Sequence, residues 1–234
     1  MKHIIAIILL ISGFHVCSQN INQMDAQGKR HGIWKKNFEG TEVVRYEGKF
    51  EHGKEVGLFK FYKYIDEKGV LSATKQFNED GSADVKFFAS NGKVISQGKM
   101  IGRTYVGKWI YYHNKSNVVM IEETFNIKGE LEGDRKVFYP NGQLAEIQHY
   151  KDGKLDGVSK MFAQNDGKLI NEYTYVNGEL HGPAKSYDES GQVVAEGNYR
   201  HDKQHGIWKF YENGQLKEEK DFTVRSKNPY LKKE

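Results

Sequence analysis

Cysteine is nearly absent: Cys17 is the only one in 234 residues, so no intramolecular disulfide braces the fold. Long apolar runs are missing too. The run Ile4 to Ile11 is well short of the ~18 residues that span a membrane, and no later segment is apolar enough to do so. Beyond that run no apolar stripe at helical spacing is sustained, which argues against a helical body. The body also lacks a basic excess. Of the net charge of +4, Lys2 supplies +1, and Arg225, Lys227, Lys232 and Lys233 against Glu234 supply +3, so residues 19 to 224 sum to zero by subtraction. A nucleic-acid binder is expected to carry its cations on the folded body, so this composition excludes that class. No nucleophile elbow, P-loop, dinucleotide fingerprint or His-Glu-x-x-His motif occurs, and no cofactor is expected.

Lys2, the apolar stretch and Val16-Cys17-Ser18 before Gln19 have the order of a secretory signal. Cleavage is expected after residue 18, which gives a secreted or periplasmic chain without its cysteine. The alternative is lipidation at Cys17, although Phe14-His15-Val16 lacks the small residue wanted before a lipidated cysteine. The remainder divides into a lead-in over 19–27, a repeat array over 28–222 and a basic tail over 223–234.

The array carries the main signal. Gly32, Gly57, Gly107, Gly133, Gly157, Gly182 and Gly206, with Val85 in a degenerate third unit, are spaced by 25, 28, 22, 26, 24, 25 and 24 residues. Other residue types keep register with these anchors. Trp34, Phe59, Phe87, Trp109 and Trp208 follow by two, and Tyr62, Tyr112, Phe138, Phe162, Tyr187 and Tyr211 by five. Units close on Phe50, Phe77, Met100, Phe125, Tyr150, Tyr175, Tyr199 and Phe222.

Within a unit the chemistry is that of a β-hairpin. In the stretch Gly206 to Leu216 an aromatic strand runs into Asn213-Gly214, a pair suited to the two positive φ angles of a type I′ turn. Asn91-Gly92, Asn141-Gly142, Asp166-Gly167 and Ser190-Gly191 are expected to turn alike, and Asp152-Gly153 and Asn177-Gly178 to connect successive units. A lone hairpin cannot bury its aromatics, whereas hairpins stacked edge to edge pair every internal strand. The fold class expected is all-β: an elongated single-layer antiparallel sheet of some sixteen strands, roughly 75 Å long at ~4.8 Å per strand.

These units resemble the variant MORN repeat, most closely at Phe138-Tyr139-Pro140-Asn141-Gly142-Gln143-Leu144 and Phe210-Tyr211-Glu212-Asn213-Gly214-Gln215-Leu216. The resemblance spans roughly 28–222, with Val85, Arg135, Ser159 and Ala184 departing from the pattern. It implies an elongated sheet used for protein or lipid contact. Some bacterial proteins with such repeats are labelled antitoxins of the YwqK family, and a signal segment would suit an exported immunity or envelope protein.

Three residue sets invite sharper readings. His31, His181 and His205 each precede an anchor glycine, but equivalent positions of stacked units lie ~10 Å apart, too far for one ion with ~2 Å bonds, so a metal site among them is not expected. Glu146, Glu172, Glu196 and Glu218 fall late in second strands. A carboxylate pair for glycoside hydrolysis is one reading, and cross-strand ion pairing with the equally frequent lysines is the simpler one. Alternation puts Trp208 and Phe210 on one face and Lys209 and Tyr211 on the other. Tyr62, Tyr112, Tyr187 and Tyr211 thus form a row available to a partner. The expectation is a monomeric, non-catalytic binding or scaffolding protein with a protein partner. Lipid headgroup or membrane contact through the basic tail is the alternative, and an envelope hydrolase ranks last.

Overall fold

The computed structural model describes residues 20–114 and 116–223. The expected signal segment with Cys17 and the cationic tail from Arg225 lie outside those residues. The chain runs through eighteen strands: β1 (Gln23–Met24), β2 (Arg30–Asn37), β3 (Val44–Glu51), β4 (Lys54–Ile65), β5 (Lys68–Phe77), β6 (Ser82–Phe88), β7 (Val94–Ile101), β8 (Thr104–Tyr112) and β9 (Val119–Phe125). The second half holds β10 (Gly133–Phe138), β11 (Leu144–Lys151), β12 (Lys154–Leu155), β13 (Gly157–Phe162), β14 (Leu169–Val176), β15 (Glu179–Tyr187), β16 (Val193–Arg200), β17 (Lys203–Glu212) and β18 (Gln215–Asp221). The described residues contain no helix. Each strand pairs antiparallel with the next, except that the short β12 and the following β13 both pair with β11. The result is the expected all-β single sheet, a meander with edges at β1 and β18.

Register resolves the repeat. One residue from each strand other than β1 and β12 forms an unbroken row: Lys35, Glu47, Lys60, Thr74, Lys86, Gln97, Ile110, Glu122, Lys136, Ile147, Lys160, Glu172, Lys185, Glu196, Lys209 and Glu219. Each anchor glycine lies three residues before a member of this row. For Lys86 that position is Ala83, so Ala83, not Val85, anchors the third unit. Pairing agrees, because Ala83 faces the closing Met100 as Gly57 faces Phe77 and Gly107 faces Phe125. Val85 takes the place of the tryptophan and is 1% exposed. The corrected anchor spacings are 25, 26, 24, 26, 24, 25 and 24.

The anchor needs glycine for a backbone reason. Pairs Lys99–Val106 and Gln97–Ile110 bracket a bulge in which Gly107, Lys108 and Trp109 face Gly98 alone. Gly107 there has φ 64°, a region that side chains with a Cβ enter only at a cost. Where Ala83 stands instead, β5 and β6 pair without any shift from Phe77–Ala83 to Ala73–Phe87.

The turns are of two kinds. Asn213 and Gly214 have φ 52° and 74°, and Asp152-Gly153 and Asn177-Gly178 are likewise positive at both residues, as a type I′ turn requires. At Asn91-Gly92, Asn141-Gly142, Asp166-Gly167 and Ser190-Gly191 only the glycine is positive, so the type I′ expectation fails there. Asn141 instead accepts the Gln143 N–H on its side chain at 3.1 Å, and Gly142 N–H reaches the Tyr139 carbonyl at 2.8 Å. The side-chain acceptor makes a longer turn with one left-handed residue the better solution.

Packing lies on the face opposite the charged row. Trp109 and Phe59 are 0% exposed and Phe50 is 1% exposed. Phe59 meets Phe50 and Phe77 edge-on at 5.2 and 5.3 Å, and Tyr105 stacks on Trp109 at 3.8 Å. Each large ring takes its room from a small residue on the preceding strand. A Cβ built on Gly48, Gly98 or Gly197 would meet the ring of Phe59, Trp109 or Trp208 within about 2.5 Å. Trp109 and Trp208 then reach over that strand to donate Nε1–H to the carbonyls of Lys99 and Asn198, each at 2.9 Å. Trp34 has no preceding repeat, and its Nε1–H goes to Gln23 in the lead-in at 3.0 Å.

Candidate functional site: two faces and a histidine edge

Three parallel rows make up the charged face. The residue after the anchor is often aliphatic and exposed: Ile33, Leu58, Val158 and Ile207 are 38%, 49%, 43% and 56% exposed. Next comes the Lys/Glu row, partly neutralised by Lys60–Glu47 at 3.3 Å, Lys160–Glu172 at 3.1 Å and Lys185–Glu196 at 3.4 Å. Two residues further stand Tyr62, Tyr112, Tyr187 and Tyr211, which the sequence also placed on this face. Tyr62 donates to Glu47 at 3.0 Å and Tyr211 to Glu196 at 2.7 Å, while Tyr112 accepts from Gln97 at 2.8 Å. Burial and the bond to Glu47 push the Tyr62 hydroxyl up to about 12. The Tyr211 bond and the Lys185 ammonium hold the Glu196 carboxyl below its usual range. Tyr187 keeps the same register beside Asp188 and Leu169.

The four carboxylates read as equivalents in the sequence are not equivalent. Glu172 and Glu196 belong to the charged row, with the Lys185 strand between them. Glu146 faces Val137 and Met161, and Glu218 faces Phe210, both on the aromatic side. Their places in the charged row are taken by Ile147 and Glu219. Glu47, Glu122, Glu172 and Glu196 of the row are ion-paired to lysines, as the simpler reading held.

On the aromatic face the pattern of rings breaks at Arg135. Its Nε donates to Glu123 at 3.2 Å and its Nη1 to Gln148 at 3.1 Å, and Tyr150 adds a bond to Gln148 at 3.1 Å. The Arg135 and Glu123 side chains are only 22% and 11% exposed. Burial and the adjacent Glu123 raise the Tyr111 hydroxyl far above its ordinary value. Beyond this network Ser159 faces Tyr173, which in turn faces Ala184. Where the anchor-plus-two residue is small, the large ring comes from the opposing strand. The absence of an aromatic in three successive units, at Arg135, Ser159 and Ala184, was the available sequence signal for this polar stretch.

The anchor histidines do not meet one another. His31 stands 5.0 Å from His52, and His181 5.3 Å from His201, both partners lying in the turns between units. His205 faces Asn198. His52 Nδ1 is 2.8 Å from Asp25 Oδ2, and His201 Nδ1 is 2.7 Å from Glu179 Oε2. Considering only anchor positions hid both turn histidines, although His52 directly precedes Gly53 in a recognisable turn. A depression of about 530 Å³, lined in part by Lys108, Glu122, Lys136 and His149, is open to solvent rather than enclosed.

No curated protein matches the chain. Among solved structures, a S. aureus TarM mutant in complex with Fondaparinux, alpha-GlcNAc-glycerol and UDP aligns at 15% identity, TM-score 0.22, over 65% of this chain and 21% of that one. A second TarM structure aligns at 16% identity, TM-score 0.22, over 62% and 20%. The chain thus spans about a fifth of those proteins, and superposition at this level says nothing about its fold or activity. Sequence comparison agrees with the register: residues 131–152, 180–201 and 204–223 match the MORN repeat variant family model, so three of the units are similar to that repeat.

Proposed function

We propose that this chain is an exported, non-catalytic repeat protein that binds a protein partner through the charged face of its sheet. The observation that carries this reading is the set of three rows on that face. Exposed aliphatics and tyrosines flank a central row in which Glu47, Glu172 and Glu196 are already paired with lysines. Paired charges present little net charge to an incoming surface, while Tyr rings and aliphatic side chains supply the contacts that dominate protein interfaces. The repeat spreads these contacts over many units, as solenoid surfaces do. Tyr62, Tyr112, Tyr187 and Tyr211 serve as the anchors, the hydroxyls of Tyr62, Tyr112 and Tyr211 being tethered to the neighbouring strand. The MORN-like units together with the signal-like N-terminus favour an exported immunity or YwqK-type antitoxin role over a cytoplasmic one. The cations from Arg225 onward favour, as a second reading, contact with an anionic membrane surface.

Crosslinking and pull-down from the native envelope fraction, read by mass spectrometry, tests the proposal. Replacing Tyr112, Tyr187 and Tyr211 together with Ser should weaken capture by more than tenfold with the β-sheet signal intact. Salt-sensitive binding to anionic vesicles that depends on the tail would instead favour the membrane reading. If a substrate is turned over and Glu172→Gln or Glu196→Gln alone abolishes turnover in a folded protein, the chain is an enzyme and the proposal is wrong.

A further inference from the structure

Ahead of β2 the lead-in carries a side-chain constellation that partner binding does not use. Asp25 opens a turn in which its carbonyl accepts the Gly28 N–H at 2.9 Å. Its Oδ1 takes the N–H groups of Gln27 and Lys29 at 3.0 and 2.9 Å. With one oxygen so fixed, Oδ2 is aimed at His52 Nδ1, 2.8 Å away. His52 has φ 48° in the turn between β3 and β4. The next N–H, of Gly53, bonds to the Arg30 carbonyl at 2.8 Å and ties that turn to β2 beside His31. The two rings are tilted by 47° at 5.0 Å, and one donor atom each from Asp25, His31 and His52 lies within 4.8 Å of the other two.

We propose that Asp25, His31 and His52 bind a divalent metal ion of the zinc class, which clasps the lead-in to the first repeat. Two imidazoles and a carboxylate, with a fourth position left to water, is a donor set that zinc accepts and magnesium or calcium does not favour. A tetrahedral ion with bonds of ~2.05 Å holds its ligand atoms about 3.3 Å apart. Closing from 4.8 Å to that spacing needs rotation of two exposed imidazoles, while the carboxylate stays where its own turn holds it. The ion takes the place of the proton shared between Asp25 and His52. It also strengthens an edge of the sheet where pairing is thin, since the β1–β2 ladder holds only the pairs Gln23–His31 and Met24–Arg30.

The chain contains its own control. His181 precedes Gly182 as His31 precedes Gly32, and His201 bonds Glu179 as His52 bonds Asp25. There the rings stand 5.3 Å apart and nearly perpendicular, at 82°. Among the described residues, Glu179, His181 and His201 do not converge as the first trio does.

The purified chain, prepared without a polyhistidine tag, is titrated with Zn²⁺ by calorimetry and with Co²⁺ for the visible spectrum of its ligand field. One equivalent should bind, with affinity falling as pH is lowered because ligating imidazoles must be neutral. Asp25→Asn keeps the Oδ1 acceptor of the turn and removes the anionic ligand, so it should weaken binding at least tenfold, as should His52→Ala. His181→Ala should bind as the unaltered chain does, and Zn²⁺ should slow amide exchange in the lead-in. No saturable binding, or binding unchanged in both Asp25→Asn and the double variant His31→Ala/His52→Ala, would overturn the proposal. So would loss of binding in His181→Ala alone.

Discussion

Adding one methyl group at Gly98 tests the idea that the aromatic face is held by large rings lying on glycine. Gly98 has ordinary strand backbone, so alanine there brings no φ penalty and should gain roughly 0.5–1 kcal/mol from reduced freedom in the unfolded chain. Against this, the new Cβ falls 2.4 Å from Cδ2 and 2.5 Å from Cε2 of Trp109. That ring cannot slide away. It is 0% exposed, stacked on Tyr105 at 3.8 Å and tethered through Nε1 to Lys99 at 2.9 Å. Overpacking of a filled site costs about 1–3 kcal/mol, and expelling the indole about 3–5 kcal/mol. The net loss for Gly98→Ala should therefore be about 2–3 kcal/mol, read from urea unfolding followed by tryptophan fluorescence and circular dichroism. Combining Gly98→Ala with Trp109→Val should cost less than the sum of the single changes, by about 1–3 kcal/mol, because the smaller side chain makes room for the methyl. A Gly98→Ala protein more stable than the parent by roughly 0.5–1 kcal/mol would refute the packing argument, since only the backbone term would then remain.

Further outcomes follow from the same geometry. Gly206→Ala adds a methyl in open space at φ 68°, so a loss of about 1 kcal/mol or more in the same unfolding assay would be purely conformational. Arg135→Leu strands the half-buried Glu123 and should cost roughly 2 kcal/mol, part of which Glu123→Gln in the same chain restores. Burial pushes the Glu47 carboxyl up, but the bonds from Tyr62 and Lys60 outweigh it and leave it lowered, as Tyr211 does for Glu196. Carboxyls lowered in the folded state stabilise fully above their ordinary value of about 4.5, so unfolding midpoints should drop as pH falls through the lowered values, and flat midpoints from pH 7 to 3 would contradict this. The raised Tyr62 hydroxyl favours the fold while neutral, a contribution lost between about pH 10 and 12, and Tyr62→Phe should remove that part of the alkaline loss.

Fold class was legible because it depends on glycines and aromatics whose spacing survives in one dimension. The site was legible only in part. Alternation placed Lys209 and Tyr211 opposite Trp208, and with them the tyrosine row. It failed for Glu146 and Glu218, which lie two residues after Leu144 and Leu216, whereas Glu172 and Glu196 lie three residues after Leu169 and Val193, and only the latter offset reaches the charged row. A one-residue slip exchanges the faces. The third anchor was misplaced for a related reason. Alanine at position 83 makes no bulge, so the glycine signal vanishes, and the nearest plausible anchor lay two residues away, on a buried position. The clearest missed regularity is a second glycine: Gly48, Gly98 and Gly197 each precede their ring, at Phe59, Trp109 and Trp208, by eleven residues.

That second glycine also explains why the departures from the pattern are not defects. A ring and the residue beneath it share one volume, so evolution can exchange their sides of the pair without altering the sum. Tyr173 over Ala184 reverses the order of Gly197 under Trp208, and Ala184, only 2% exposed, is as buried as the glycine site demands. The Arg135 stretch solves the same volume problem with polar groups, which must then satisfy one another because half-buried charges cannot be left unpaired. Glu123, Gln148 and Tyr150 do so. The consequence is an aromatic face that is phenylalanine-rich before residue 125 and tyrosine-rich after it, with the change occurring at one cooperative polar network. Cutting that network, rather than any single ring, is the perturbation expected to uncouple the two halves of the sheet. Residues on either side of Arg135 in Arg135→Leu should then show different amide-exchange opening energies, and uniform weakening along the whole array would argue against such a seam.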